Sequence, residues 1–410
     1  MAILHRTRSL SALMPRYTER FRCTGPACED TCCVGWPVHI DKKTYKAYRQ
    51  QTHPAIAPVI SLMKRIEHSS SDTRYALLPL TNPDGYCPAQ KDGLCTVHAA
   101  LGESYLSDTC QNYPRVNRRV NGQQEQSLSL SCSEAARLAL LHEDAFEFTE
   151  APVSVRDGTV YNTTAAGRMS AEQMSEVRIF CLNLMRTREF ALWQRLALLG
   201  VFCEALDRYR ASDAQDGGQL VIADFMQVIE DGELLAALDL IQPNYDAQAM
   251  VFATLWGLKG FAGFTAFQET QVRHIAAGLG ADASGQVSGN GLVAAYRRGL
   301  ERLDQALQAT PWMLEHYLLN EMFTQLFPVE GGDAYEAYLR LVARFGLLRL
   351  LLAARCNNED ELPTPAALAS VVALQCRRFQ HDPQYTDHVN LSLRSSGWAD
   401  LNKLYTLVRN

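Results

Sequence analysis

The stretch FRCTGPACEDTCCVGW, residues 21–36, places Cys23, Cys28, Cys32 and Cys33 in a segment too short to need four thiols for packing. Eight of the twelve cysteines, these four with Cys87, Cys95, Cys110 and Cys132, precede residue 133, and only four are spread over the rest of the 410-residue chain. Such clustering marks a separate N-terminal module. A reducing cytoplasm keeps thiols open rather than oxidised into a disulfide framework, so ligation of a metal or an iron–sulfur centre best accounts for the set. Burial of some of the eight as small hydrophobes is the alternative.

The surroundings support ligation. Cys87 and Cys95 flank PAQKDGL, in which Asp92-Gly93 is a turn signal, so the segment reads as a knuckle offering two thiolates to one centre. RVNRRVNGQQEQSLSLSC (115–132) has two alternating segments about Asn121-Gly122 and reads as a small hairpin ending at Cys132. In SCSE, Ser131 and Glu134 have capping-box spacing, which sets Cys132 at a helix N-terminus whose positive end favours a thiolate. Cys110 opens CQNYPRV, and Arg115, Arg118 and Arg119 follow. These arginines either balance a thiolate-ligated cluster, bind a carboxylate-bearing cosubstrate, or form a solvated basic edge.

Thiolates suit both zinc and iron–sulfur centres. Cys28-x₃-Cys32 has zinc-knuckle spacing, but Cys87-x₇-Cys95 is wide, and iron–sulfur proteins tolerate irregular spacing. His98, as C-x-x-H after Cys95, is either a zinc ligand or an ordinary helix-start histidine. Cys32 and Cys33 are expected to point apart, one serving the centre and the other the core or a second centre.

Composition narrows the function. With 47% hydrophobic and 20% charged residues the chain can bury two or three cores. A formal net charge of -6 and the lack of a Lys/Arg run argue against nucleic acid and anionic lipid as partners. The first twenty residues lack the continuous apolar stretch of a signal peptide. The most apolar later segment, residues 338–356, carries Arg340, Arg344, Arg349 and Arg355, a pattern suited to a soluble helix with a charged edge rather than a membrane span. A soluble cytoplasmic protein is expected.

RFRCTGPACEDTCCVGW, YCPAQKDGLCTVHAALGE, DTCQNYPRV and SLSC together resemble a zinc- or iron-chelating cysteine-rich domain, and in a chain of this length they resemble the flagellin lysine-N-methylase family. The matching positions are the eight cysteines with Trp36, Gly93, Leu101-Gly102, Tyr113, Pro114 and Arg115, within about residues 14 to 135. The resemblance implies transfer of methyl groups from S-adenosylmethionine to lysines of flagellin, with an iron–sulfur cluster (4Fe-4S, zinc being the alternative) held by Cys23, Cys28, Cys32, Cys33, Cys87, Cys95, Cys110 and Cys132. The radical spacing C-x₃-C-x₂-C is absent, because Cys33 directly follows Cys32. A glycine-rich strand-to-helix turn for the donor is absent too: the best glycine cluster, residues 276–292, follows a helical pattern and reads as a surface loop. A non-catalytic metal-binding protein that grips a client, or an iron–sulfur oxidoreductase, is the competing class.

Beyond residue 160 apolar residues recur at three- and four-residue spacing almost throughout, beginning with a capping box at Ser170-x-x-Gln173. Cys181, Cys203, Cys356 and Cys376 fall on these helices and are expected in the core. Glu315, Tyr317 and Glu321 are chemically able to deprotonate a lysine, and equally read as a polar helix face. The expected fold is mainly α: an N-terminal extension (1–13), a cysteine-rich metal or iron–sulfur module with a small β-hairpin (14–140), a linker (141–165) and a multi-helix domain (166–410).

Overall fold

The computed structural model describes residues 5–67, 71–80, 85–163, 169–211, 217–258, 264–282, 287–329, 332–358, 360–380 and 382–409. The chain divides into two compact units. The first takes Met1–Leu138, Glu147–Thr163 and Phe261–Thr270, and the second takes Ala139–Phe146, Thr164–Gly260 and Gln271–Asn410.

Up to residue 163 the chain runs β1 (Thr7–Pro15), α1 (Tyr17–Arg20), β2 (Val38–Ile40), α2 (Lys42–Arg49), α3 (Ala57–Leu62), β3 (Lys64–Arg65), β4 (Ala76–Leu78), β5 (Gln90–Lys91), β6 (Leu94–Cys95), α4 (Thr96–Leu101), α5 (Asp108–Asn112), β7 (Arg115–Val120), β8 (Gln123–Leu128), α6 (Ser133–Leu140), β9 (Phe148–Arg156) and β10 (Val160–Thr163). The main sheet has the order β10-β7-β8-β1-β9. β1 runs antiparallel to β9, from Thr7 opposite Arg156 to Pro15 opposite Phe148, and meets β8 in parallel where Leu13 faces Glu125. β7 and β8 form the expected hairpin across Asn121 (φ 49°) and Gly122 (φ 92°), the left-handed pair that a two-residue turn demands.

Two expectations about boundaries give way here. Most of β1 comes from residues assigned to an extension, and β9 and β10 come from residues assigned to a linker. β1 and β9 pair across well over a hundred residues and β10 pairs with β7 across 43, beyond the reach of local pattern. Among the described residues the module also carries three sheets rather than one small hairpin, β2-β4-β3 and β5-β6 in addition to the main one. Ala12, Met14, Val153 and Val155 form the core of the main sheet. Val38, Ile40, Tyr48, Ile56, Val59 and Leu78 form a second core, which includes Cys87 and is flanked by Cys33 and Cys95.

The second unit is helical, as expected. It contains α7 (Ala171–Arg186), α8 (Leu192–Ala211), α9 (Gly217–Glu230), α10 (Glu233–Asp239), α11 (Tyr245–Gly257), the C-terminal part of α12 (Ala266–Gly278), α13 (Gly289–Ala306), α14 (Met313–Thr324), α15 (Ala334–Asn357), α16 (Pro365–Phe379), α17 (Pro383–Ser395) and α18 (Leu401–Val408). Ser170 and Gln173 cap α7 reciprocally. The loop expected at residues 276–292 joins α12 to α13, with residues 283–286 outside the described set. Among the described residues no helix is long and apolar enough to cross a membrane.

α15 is the axis of this unit and packs against α8, α11, α13, α16 and α17. Gly278 and Gly299 meet its backbone at Ala354 and Ala353 so closely that a Cβ at either position would overlap the main chain. Its arginines do not form the charged edge expected of them. Arg349 is buried and donates to the carbonyls of Leu407 and Val408, each at 2.7 Å, and to Gln248 at 2.9 Å. Arg344 pairs with Glu321 at 2.7 Å. Cys181, Cys203, Cys356 and Cys376 are buried as expected.

The polar face expected on α14 is likewise interior. Glu315 receives Arg195 at 2.7 Å and Arg188 at 3.0 Å; burial raises its pKa, but these arginines outweigh that and hold it below the usual carboxylate range. Tyr317 and Glu321 are buried too. Helical periodicity records polarity, not partners, so it cannot distinguish a wet face from an internal ion-pair network. Glu315→Gln would strand the buried Arg195, and a loss of about 3 kcal/mol is expected from urea unfolding.

His316 is 1% exposed, and its Nδ1 lies 2.9 Å from the Ala139 carbonyl. Burial lowers its pKa from 6.5 to about 4. Between those values the unfolded chain binds a proton that the folded chain does not, so stability falls as pH drops from 6.5 towards 4, by about 3 kcal/mol at full extent. Unfolding midpoints measured across that window should show the slope, and His316→Gln should flatten it.

Candidate functional site

The cysteines are positioned by short-range backbone pairing in the first unit. The Cys87 amide donates to the Cys33 carbonyl at 2.8 Å, Val34 bridges to Tyr86, and the Gly35 amide reaches the Gly85 carbonyl at 3.1 Å. Residues 33–35 and 85–87 thus lie side by side. The knuckle forms as expected: Asp92 (φ 52°) and Gly93 (φ 78°) turn the chain, Gln90 pairs with Cys95, and the Gln90 amide bonds the Cys87 carbonyl at 2.8 Å. Ser107 caps α5 by accepting the Cys110 amide at 3.3 Å.

Cys132 stands at the N-terminus of α6, as expected, but it takes the capping position itself. Its sulfur accepts the amides of Glu134 and Ala135, while Ser131 is buried and bonded to Ser129 and Tyr113. The thiol pKa moves opposite to expectation. Burial pushes Cys132 up to about 11, and the helix amides offset only part of that. Cys87 rises to about 11 for the same reason.

The eight sulfurs fall into two neighbourhoods. Cys33, Cys87, Cys95 and Cys110 lie within electrostatic reach of one another. Cys132 lies within reach of Cys23 and Cys28. Cys32 joins the two: it hydrogen-bonds Cys33, which with burial raises its pKa, and it feels both Cys110 and Cys132. Glu29, beside Cys28, is tied to α6 by Arg137 at 2.7 Å. All twelve cysteines are free thiols. His98 is exposed within α4.

Among the described residues, the one set of three metal-ligand side chains with donor atoms within 4.8 Å of one another is His5, Asp41 and Asp108. No sequence motif marks this set; its one local signal is Asp41, which caps α2 by accepting the Thr44 amide. Its contacts explain it as structure. Thr44 bonds both His5 (2.9 Å) and Asp41 (2.7 Å), the Asp108 amide donates to Asp41 at 3.1 Å, and Arg156 pairs with Asp108 at 3.3 Å. A guanidinium in that position supplies the cation the carboxylates need.

A cavity of about 720 Å³ opens on the main sheet. Phe21, Arg22, Glu103, Arg115, Gln126 and Arg156 line it above a floor that includes Met14 and Val153. Arg115 lies over the Phe21 ring at 5.2 Å. Arg118 and Arg119, opposite Tyr161 and Asn162 of β10, are not among the lining residues.

The helical unit carries the family signal. Residues 178–407, more than half of the chain, match the FliB lysine N-methylase C-terminal domain. The chain belongs to the FliB lysine N-methylase family. Over 371 residues, 87% of this chain and 88% of the relative, it is 25% identical to a lysine-N-methylase of Salmonella choleraesuis (strain SC-B67). It is also 25% identical over 370 residues to a lysine-N-methylase of Salmonella typhimurium (strain LT2). The flagellar biosynthetic protein FliU of Salmonella muenchen is 31% identical over 148 residues, 35% of this chain and 85% of FliU. No solved structure matches the chain. The family match begins after the last N-terminal cysteine, so it bears on the helical unit and leaves the thiols to their own chemistry.

The raised thiol pKa values of Cys87 and Cys132 mean that both are protonated at neutral pH in the metal-free chain, so ligation must release their protons. Loading of stripped protein with ferrous iron and sulfide, or with zinc, is expected to speed up and become more complete from pH 7 to pH 9. Proton release in weakly buffered solution checks this.

Proposed function

We propose that the chain is a protein-lysine N-methyltransferase that moves methyl groups from S-adenosylmethionine to lysines of flagellin in the cytoplasm, with an iron–sulfur cluster bound in its cysteine-rich unit. The observation that carries this reading is membership of the family together with lysine-N-methylase relatives that span 87% of the chain. In the polar form of the reaction the neutral lysine nitrogen attacks the methyl carbon, the carbon–sulfur bond breaks with its electron pair going to sulfur, and the lysine proton passes to solvent or a base. Methyl-lysine and S-adenosylhomocysteine result. Glu315 and Glu321 do not serve as that base, because both are buried and held by arginines.

The thiols support an iron–sulfur group better than zinc. Tetrahedral zinc with bonds of about 2.3 Å draws its sulfurs to about 3.8 Å from one another, and among the described residues no three cysteine sulfurs lie within 4.8 Å of each other. A cluster that takes one cysteine per corner is content with wider spacing. When bound it would supply electron transfer or a Lewis-acidic iron; Cys33, Cys87, Cys95 and Cys110, or the Cys23, Cys28, Cys32 and Cys132 group, would hold it.

Incubation of protein purified without oxygen with S-adenosylmethionine and flagellin should add methyl-lysine mass increments to flagellin. Absence of any increment with cluster-loaded protein would count against the reading. Cys87→Ser and Cys95→Ser should lower bound iron and acid-labile sulfide, whereas Cys203→Ser and Cys376→Ser should leave both unchanged.

A further inference from the structure

We propose that the cavity on the main sheet of the first unit is the methyl-donor site, with Arg115 and Arg22 receiving the donor's carboxylate and Glu103 and Glu19 its cationic centres. The assignment rests on the methyltransferase reading, since that reading makes the ligand a nucleoside joined to an amino acid.

The argument starts from charge left over. Arg115 is half-buried and stacks on Phe21, yet among the described residues its guanidinium makes no hydrogen bond or ion pair. Burial and the charge of Arg22 depress its pKa, with Glu103 and Cys23 opposing them. Arg22 donates to the main-chain carbonyls of Glu19 (3.1 Å) and Phe21 (2.7 Å) and has no carboxylate partner either. Two arginines near each other with no carboxylate in hydrogen-bond contact, although Glu103 lies within electrostatic reach of Arg115, favour a bound carboxylate, which the planar guanidinium fork grips in bidentate fashion.

The acidic groups are open too. Among the described residues the Glu103 carboxylate accepts only a neutral amide, from Gln111 at 3.1 Å, and exposed Glu19 has no cation on its carboxylate. One cavity therefore offers positive and negative groups that, among the described residues, no ion pair joins. A simple anion or cation satisfies half of them; an α-amino-acid zwitterion satisfies both.

The remaining lining suits a nucleoside. Phe21, Met14 and Val153 supply apolar surface, and buried Gln126 donates to Asn117 at 2.7 Å, leaving its amide oxygen for an exocyclic amine. The volume of about 720 Å³ lies within the range of small-molecule sites, roughly 300–1,000 Å³. Arg22 directly precedes Cys23, whose charge Arg115 feels, so the arginine end of the cavity adjoins the first of the thiols.

The test is binding rather than turnover. Full-length protein purified without oxygen is titrated calorimetrically with S-adenosylhomocysteine and with 5′-methylthioadenosine, which keeps the nucleoside thioether but lacks the amino-acid group. Arg115→Ala and the more exposed Arg22→Ala should each weaken S-adenosylhomocysteine at least tenfold while leaving 5′-methylthioadenosine within twofold. Iron content and thermal melts like those of the unaltered chain certify the fold, and Arg22→Ala decides the matter if Arg115→Ala fails that check. Equal affinity of the unaltered chain and both arginine variants for S-adenosylhomocysteine overturns the cavity assignment and leaves the methyltransferase reading standing. No binding of S-adenosylmethionine or S-adenosylhomocysteine by the unaltered, cluster-loaded chain overturns both.

Discussion

β1 lies inside the main sheet, with β8 on one edge and β9 on the other, and this placement governs the rest of the first unit. An inner strand must satisfy its backbone groups on both sides, so β8 and β9 are brought together from distant parts of the sequence. The chain leaving β1 at Pro15 enters α1, where Tyr17 is pinned to Leu128 of β8 by hydrogen bonds of 3.1 and 3.3 Å. Phe21, Arg22 and Cys23 follow four to six residues beyond that anchor. The cavity wall and the first thiol are consequences of where one strand sits.

In the helical unit buried charges are matched internally: Glu315 with Arg195 and Arg188, Glu321 with Arg344, and Arg349 with the last carbonyls of α18. Such networks fix helix register, and the carboxylates in them are already held by arginines. In the first unit Arg115, Arg22 and Glu103 line one cavity without such matching, and eight thiols lie in two neighbourhoods without forming a disulfide. The eight thiols and this cavity lie in the first unit, while the family match lies almost wholly in the second.

Much of the local structure was legible in the sequence because it is enforced over a few residues. Asn121-Gly122 and Asp92-Gly93 each adopt the left-handed pair their hairpins require, Ser170 and Gln173 cap α7, and the four late cysteines lie in helix cores. What escaped depends on partners far along the chain. The alternation in TRSLSALMP is weak by itself and becomes a strand only against Phe148–Arg156. Ser131 has the composition of a cap, yet tertiary bonds to Ser129 and Tyr113 take its hydroxyl and leave the position to Cys132. The thiols were legible as a set, and their division between two neighbourhoods was not, because it follows from residues 33–35 pairing with 85–87.

The inner position of β1 also bears on the choice of initiation codon. A ribosome that began at the codon for Met14 would make a chain keeping only the Met14–Thr149 and Pro15–Phe148 pairings with β9. It would also lack His5, the imidazole set between Asp41 and Asp108. Buried Asp41 and partly buried Asp108 would then face each other without that imidazole, with Arg156 and Lys43 as nearby cations. A gene product shortened by thirteen codons would differ from this one in its architecture as well as its length.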